Sequence, residues 1–156
     1  DAYPVMRSMS GEPFERDHWK ILFTLLKLPN DMRLETFYFR HVVEKLDLVM
    51  EKADDLKELT SRAVGEVTIR DAVMEVGTWF EQTEFSFMDH AVKGGIVPLI
   101  KDWKDMMSSV SDMQALCSSL KDSRYFAPFK DQVDKFEEKL ALLDELLIIM
   151  NKVQRK

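Results

Sequence analysis

The sequence contains few of the residues on which metal centres and disulfides depend. Its 156 residues include one cysteine, Cys117, and three histidines. A single cysteine can form neither an internal disulfide nor a cysteine zinc site, and it fits a reducing, intracellular setting. The histidines lack the H-E-x-x-H and H-x-H spacings of metal ligands, so we expect ordinary hydrogen-bonding roles for His18 and His41 in helices and for His90 at a turn.

Phosphate-binding loops and long apolar runs are absent as well. The five glycines form neither G-x-x-x-x-G-K-[ST] nor G-x-G-x-x-G, so we expect no nucleotide cofactor in this segment. No run of about 18 apolar residues exists, so no membrane insertion is predicted. The net charge of -6, with acidic and basic residues interspersed, argues against nucleic acid as a partner. Glu137 and Glu138 are sequence neighbours that do not face each other on a helix, and nothing near Cys117 indicates an activated thiol, so we predict no catalytic site.

What the chain does contain is apolar periodicity with helical spacing. Hydrophobic residues make up 46 % of the sequence and charged residues 32 %, which is typical of a folded domain. The pattern predicts a first helix between Pro13 and Pro29, and a second helical run from Thr36 as N-cap to about residue 80. The period allows one, two or three helices in this second run, and we place a kink near Met50.

Two further helices are predicted in the second half. One follows Asp102, and its apolar face carries Cys117 and three methionines, Met106, Met107 and Met113. We favour a core-filling role for these methionines over a partner-binding groove. The other runs over residues 129–153, where apolar residues recur at spacings of three and four.

One stretch changes its period from helix to strand. Thr83, Phe85 and Phe87 alternate with other residues, a glycine pair follows at Gly94 and Gly95, and residues 96–100 are largely β-branched. We therefore predict a mostly α fold: an elongated antiparallel helical bundle with one small β-hairpin at about residues 83–100. We expect residues 1–156 to be one segment cut from a longer chain, since there is no initiator methionine and the chain ends inside a helical pattern.

Five short stretches occur in an order that a known family shares. They are E-R-D-H-W at residues 15–19, A-V-G-E-V-T-I at 63–69, Trp79 followed by Phe85, S-S-L-K-D-S at 118–123 and V-Q-R-K at 153–156. Together they resemble the linker region of dynein heavy chains over nearly the whole length. Residues 55–70 and 99–105 look most like the cytoplasmic dynein 2 class. Phe136 departs from the family, which usually has tryptophan there, but an aromatic ring still suits a core position.

The resemblance implies a mechanical function. In the family, the linker is a helical lever that couples ATP hydrolysis in a ring of AAA+ modules to minus-end-directed movement on microtubules, here in retrograde intraflagellar transport. ATP and Mg would then bind in the ring and not in this segment. The implied partners are the AAA+ ring, the rest of the linker, the dynein intermediate and light intermediate chains, and microtubules. The implied location is the cytoplasm, the cytoskeleton and the cilium or flagellum.

Two breaks in the helical pattern are candidate hinges or ring contacts. The first break contains Gly94 and Gly95, and the second contains Ser123 and Pro128. We select these breaks because the chain is expected to be locally flexible there. A plain hairpin turn is the simpler interpretation of the glycine pair. Without the family resemblance, the same pattern fits an α-helical adaptor that binds partner helices, and an exposed apolar stripe on the last helix would favour that function.

Overall fold

The computed structural model describes residues 13–155. Six α-helices and one two-stranded antiparallel sheet account for most of these residues. The elements are α1 (Arg16–Leu25), α2 (Phe39–Val43), α3 (Leu46–Glu51), α4 (Ala53–Gln82), β1 (Phe87–Val92), β2 (Gly95–Ile100), α5 (Trp103–Leu120) and α6 (Lys130–Gln154), with short 3-10 turns at Leu34–Thr36 and Ala127–Phe129. The prediction of a mostly α protein with one small hairpin is confirmed.

The chain divides into two compact units, and the boundary falls between Thr68 and Ile69 within α4. The first unit has its own core, in which α1 packs with the helices that follow it. Aromatic rings pack against this core, including Trp19 and Phe37 with their centroids 6.0 Å apart. The buried side chains of this core are Leu22, Leu26, Leu28, Val42, Val49, Leu56 and Leu59.

The second unit is built by the C-terminal part of α4 together with α5 and α6. Trp79 on α4 donates its indole N–H to the Ser109 hydroxyl on α5 at 2.7 Å. Phe80 stacks on Phe136 of α6 at a centroid distance of 5.7 Å, so an aromatic ring does fill the position at which the sequence departs from the family. The buried side chains are Ile69, Val73, Val76, Val110, Cys117, Leu120, Val133, Leu140 and Leu147.

The hairpin begins four residues later than its predicted start. Strand β1 pairs with β2 in a register that joins Phe87 to Ile100 and Val92 to Gly95, while residues 83–86 are irregular. A tight turn at Lys93 and Gly94 sets this register, and the register outweighs the alternation seen from Thr83. His90 consequently lies in β1 and not at a turn.

Pro98 is tolerated in β2 because its nitrogen faces the outer edge of the hairpin. The Lys101 N–H donates inward to the Ser86 carbonyl, whereas the Ile100 N–H points outward to Gln154. N–H directions alternate along a strand, so position 98 shares the outward direction of position 100 and needs no ladder bond.

Two predicted helix starts and one predicted kink differ from the structure. Helix α1 begins at Arg16 and not at Pro13, because Glu15 takes the N-cap position. Thr36 lies in a 3-10 turn, and Tyr38 is the N-cap of the helix that follows. The single kink proposed near Met50 corresponds to two interruptions, between Val43 and Leu46 and at Lys52.

Candidate hinge and contact sites

The glycine pair lies at the tip of the hairpin. Gly94 is in the turn, and Gly95 begins β2. The backbone φ of Gly95 is 144°, a value that residues other than glycine rarely adopt. A Cβ atom built on either residue would meet no other atom within 4 Å. The tip therefore projects into open space, where a contact to another surface is sterically possible.

The second predicted site, from Ser123 to Pro128, is a connector with many hydrogen bonds. The Ser123 N–H donates to the Leu120 carbonyl at 3.2 Å, and the Phe126 N–H donates to the Ser123 carbonyl at 3.1 Å. The Ser123 hydroxyl also accepts a bond from the Tyr125 N–H. Pro128 lies in the 3-10 turn before α6, a position at which a missing N–H costs little.

Side chains from both ends tie this connector to the second unit. Tyr125, Phe126 and Phe129 pack against its core. Lys121 donates to the Glu137 carboxylate at 2.6 Å, and this hydrogen bond raises the pKa of the lysine. Bending at the connector would have to break these contacts, whereas bending at the glycine tip would break none of them.

Gln154 at the end of α6 holds the base of the hairpin. Its side-chain amide donates to the Ile100 carbonyl at 2.6 Å and accepts from the Ile100 N–H at 3.0 Å. Through these two bonds the glutamine side chain pairs with the Ile100 backbone as a neighbouring strand would. Sequence reasoning missed the contact, because its partners are 54 residues apart and a lone glutamine carries no pattern.

A buried polar cluster lies in the first unit. His18 is 1 % exposed and Glu66 is 6 % exposed, and the imidazole Nε2 lies 3.1 Å from the Glu66 Oε2. His18 Nδ1 accepts a hydrogen bond from the Glu15 backbone N–H at 3.0 Å, so the ring proton resides on Nε2, which lies beside the carboxylate without a well-aligned hydrogen bond. Arg62 donates to the other carboxylate oxygen at 2.6 Å. The one sequence signal for the cluster was a glutamate within the apolar stripe of α4.

The other histidines and the cysteine lie in unrelated surroundings. His41 Nδ1 accepts from the Tyr38 N–H at 2.9 Å and so repeats the helix-start bond of His18. His90 is exposed on β1. Cys117 is buried, and burial raises the pKa of its thiol. Met106, Met107 and Met113 pack against the core of the second unit, which confirms their predicted role.

Helix α6 exposes a second apolar stripe opposite its buried one. Leu142 is 59 % exposed, Leu146 45 %, Ile149 57 % and Val153 66 %. Their spacing of four, three and four places them on one helical face. No described residue covers this stripe, and such a face is typical of a surface that packs on another helix.

Between residues 13 and 155, no three His, Cys, Asp or Glu side chains are grouped closely enough to hold a metal ion. Over the same residues, every helix is too short or too polar to cross a bilayer.

Comparison with known proteins defines the class to which this helical chain belongs. The family model described as Dynein heavy chain, N-terminal region 2 matches residues 1–156. Cytoplasmic dynein 2 heavy chain 1 of Rattus norvegicus is 45 % identical over 154 residues, which is 98 % of this chain, and the Homo sapiens protein of the same name is 44 % identical over the same length. Dynein axonemal heavy chain 10 of Homo sapiens is 28 % identical over 160 residues.

The chain belongs to the dynein heavy chain family. The chain is 45 % identical to the Rattus norvegicus cytoplasmic dynein 2 heavy chain and 28 % identical to the axonemal chain, so it is more similar to the former. The matched region is 4 % of the length of the cytoplasmic dynein 2 relatives.

Proposed function

We propose that this chain is a segment of a dynein linker, the lever that couples ATP hydrolysis in the AAA+ ring to minus-end-directed movement along microtubules. The observation that carries the proposal is the match to the N-terminal region of dynein heavy chains over all 156 residues. The packing of the two units fits this role, because closely packed cores deform little and can transmit force. In this proposal ATP and Mg bind in the ring, and the segment itself has no active site.

A distance measurement in the intact heavy chain tests the lever. One dye is placed at Glu145, an exposed position on α6, and the other on the AAA+ ring, and energy transfer is read with and without ATP. A nucleotide-dependent change supports the lever. The matched control places the dyes at Glu145 and Lys104, which are both exposed in the second unit, and this distance should stay constant. A constant distance to the ring contradicts the proposal.

Similarity to cytoplasmic dynein 2 heavy chains supports a narrower role in retrograde intraflagellar transport within cilia. In this role the parent chain associates with intermediate and light intermediate chains and with microtubules. A fluorescent tag on the heavy chain should then move from the ciliary tip to the base. Exclusion of the tagged chain from cilia contradicts this role and leaves the lever untouched.

The lever needs a hinge or a contact to the ring. The two candidate sites in this segment are the glycine tip, Gly94 and Gly95, and the connector from Ser123 to Pro128. Exposure and the open space around the glycine tip favour the tip. Replacing Gly94 by alanine is sterically permitted and stiffens the turn. A change in motor velocity with the Gly94→Ala variant supports a hinge or contact there, and an unchanged velocity contradicts it.

The exposed stripe of α6 favours a second candidate function, an adaptor that binds partner helices. In the lever, other parts of the same heavy chain would cover Leu142, Leu146 and Ile149. Hydrogen exchange of the α6 amides in the purified heavy chain distinguishes the lever from the adaptor. Protection of the stripe in the heavy chain alone supports the lever, whereas protection that appears only with added partner proteins supports the adaptor.

A further inference from the structure

A cleft of about 700 Å³ opens in the first unit, lined by α1 and by the loop that follows it. Four basic side chains line it, and Glu35 is the one acidic residue among its lining residues. The basic residues are Arg16, Lys20, Lys27 and Arg33. This concentration of positive charge is notable in a chain whose net charge is -6.

Local structure brings these charges together along α1 and beyond its end. Arg16 and Lys20 lie on one face of α1, since residues four apart are neighbours on a helix surface, and Lys27 follows two residues after Leu25, the last residue of the helix. At a rise of 1.5 Å per residue, α1 is about 14 Å long from position 16 to position 25. Lys27, which follows the C-cap residue Leu26, has a left-handed φ of 48°, and the chain then turns and brings Arg33 to the same cleft.

The charges are available for a partner. Among residues 13–155, no carboxylate forms an ion pair with Arg16, Lys27 or Arg33. Lys20 pairs with Asp17 at 3.0 Å, and both side chains are largely exposed. Exposed pairs of this kind are weak and exchange readily for another carboxylate.

Aromatic rings add an apolar component to the cleft. Trp19 and Phe23 are half-buried among its lining residues, and their ring centroids are 6.3 Å apart. Basic side chains beside half-buried aromatic rings suit a ligand with both carboxylates and an apolar group, because guanidinium groups bind carboxylates with two parallel bonds and the rings receive apolar side chains.

We propose that this cleft is a docking site for an acidic polypeptide segment that also carries an apolar side chain. The spread of the charges favours a polypeptide over a small anion, because Arg16 and Lys27 lie at opposite ends of α1, whose length of about 14 Å corresponds to roughly four residues of an extended chain. A nucleotide is disfavoured by the absence of a glycine-rich phosphate loop from the sequence. The assignment does not depend on the lever, since it requires binding and no movement.

Photo-crosslinking in the full heavy chain tests the site. The probe is a peptide of alternating glutamate and leucine with a diazirine on one leucine, and mass spectrometry maps where it attaches. We expect crosslinks within residues 16–35, with a half-saturating peptide concentration that rises with salt. Arg16→Glu with Arg33→Glu should raise that concentration by about tenfold or more.

The matched control is Lys93→Glu with Lys104→Glu, which changes the net charge equally at exposed positions in the second unit. This variant should crosslink like the wild type. Arg16 and Arg33 are exposed, so both double variants should keep the wild-type circular dichroism. Any of three results overturns the proposal: crosslinks outside residues 16–35, equal labelling by a peptide with lysine in place of glutamate, or displacement of the peptide by phosphatidylserine vesicles or single-stranded DNA at equal charge concentration.

Discussion

His18 Nε2 lies 3.1 Å from Glu66 Oε2 in the interior of the first unit. The two residues come from the E-R-D-H-W stretch at 15–19 and the A-V-G-E-V-T-I stretch at 63–69, two of the sequence markers that resemble the dynein family. The imidazole N–H is not well aligned on the oxygen, so the attraction is chiefly electrostatic. With Arg62 on its second oxygen, the buried carboxyl group has a partner on each side, as a polar group in an apolar interior requires.

Replacing His18 should therefore lower the free energy of unfolding by more than the loss of one hydrogen bond would. His18→Ala leaves Glu66 with one partner and removes the imidazole acceptor of the Glu15 N–H, and we expect the free energy of unfolding to fall by about 3 kcal/mol. Urea unfolding of the chain, followed by circular dichroism, measures the loss. Lys20→Ala is the control in the same helix, and it should cost less than about 0.5 kcal/mol because its pair with Asp17 is exposed.

A double-mutant cycle isolates the contact itself. His18→Ala combined with Glu66→Ala should cost less than the sum of the two single changes, because the double variant contains no buried carboxyl group that has lost a partner. Additive losses would contradict the electrostatic coupling of His18 to Glu66.

Lys27 combines backbone strain with a place in the basic cleft. Its φ of 48° and the bond from the Leu28 N–H to the Phe23 carbonyl form a helix ending in which glycine is usual. Lys27→Gly should raise the free energy of unfolding by about 1 kcal/mol and weaken crosslinking of the acidic peptide. Lys27→Gln, which removes the charge and keeps the strain, should weaken crosslinking with unchanged stability. A destabilised glycine variant would show that the lysine is not strained.

The two tip glycines should differ in their tolerance of alanine. Gly95 has a φ of 144°, so Gly95→Ala forces an unfavourable backbone and should destabilise the hairpin by about 1–3 kcal/mol. Gly94→Ala should change it little, because open space surrounds that position. Hydrogen exchange of the amides in β1 and β2 reports the difference. Equal exchange in both variants contradicts the expectation, and only the Gly94 variant is a clean test of a hinge.

The Cys117 thiol should be unreactive in the folded chain. Burial is the largest cause of its raised pKa, Glu137 adds to it, and Lys121 opposes it. A disulfide reagent at pH 8 should label the thiol at the rate at which the chain unfolds. Above the ordinary thiol pKa of 9.0, the unfolded chain loses a proton that the folded chain retains, so the free energy of unfolding should fall as pH rises. A Cys117→Ala variant should lack this alkaline loss, and labelling as fast as a free thiol contradicts the burial.

Periodicity in the sequence predicted the positions of the two last helices correctly but placed the start of the hairpin wrongly. The helix after Asp102 and the last helix were confirmed, because their buried stripes recur over many turns and leave one consistent face. Strand β1 was placed too early, because alternation from Thr83 looks like a strand whether or not a partner is present. The partner is fixed by the turn at Lys93 and Gly94, and that turn selects Phe87 as the first paired residue.

The candidate sites differ from the helices in being assembled from distant residues. The basic cleft needs Arg33 beside α1, and the position of Arg33 follows from the left-handed turn at Lys27, an unusual conformation for lysine. Periodicity is a local signal and carries no information on such a turn. The bond from Gln154 to Ile100 is of the same kind, since an exposed amide near a helix end has many possible partners.

Gln154 offers a direct test of whether this distant contact stabilises the hairpin. Gln154→Ala removes both bonds to Ile100 and should lower the free energy of unfolding by about 1 kcal/mol, because the freed backbone groups regain bonds to water. The Ile100 amide should exchange faster, since its N–H faces the outer edge and has no partner in β1. Gln132→Ala, an exposed amide on the same helix, is the control and should leave exchange in the hairpin unchanged. Unchanged exchange at Ile100 in the Gln154 variant would mean that the β1–β2 ladder alone holds the hairpin base.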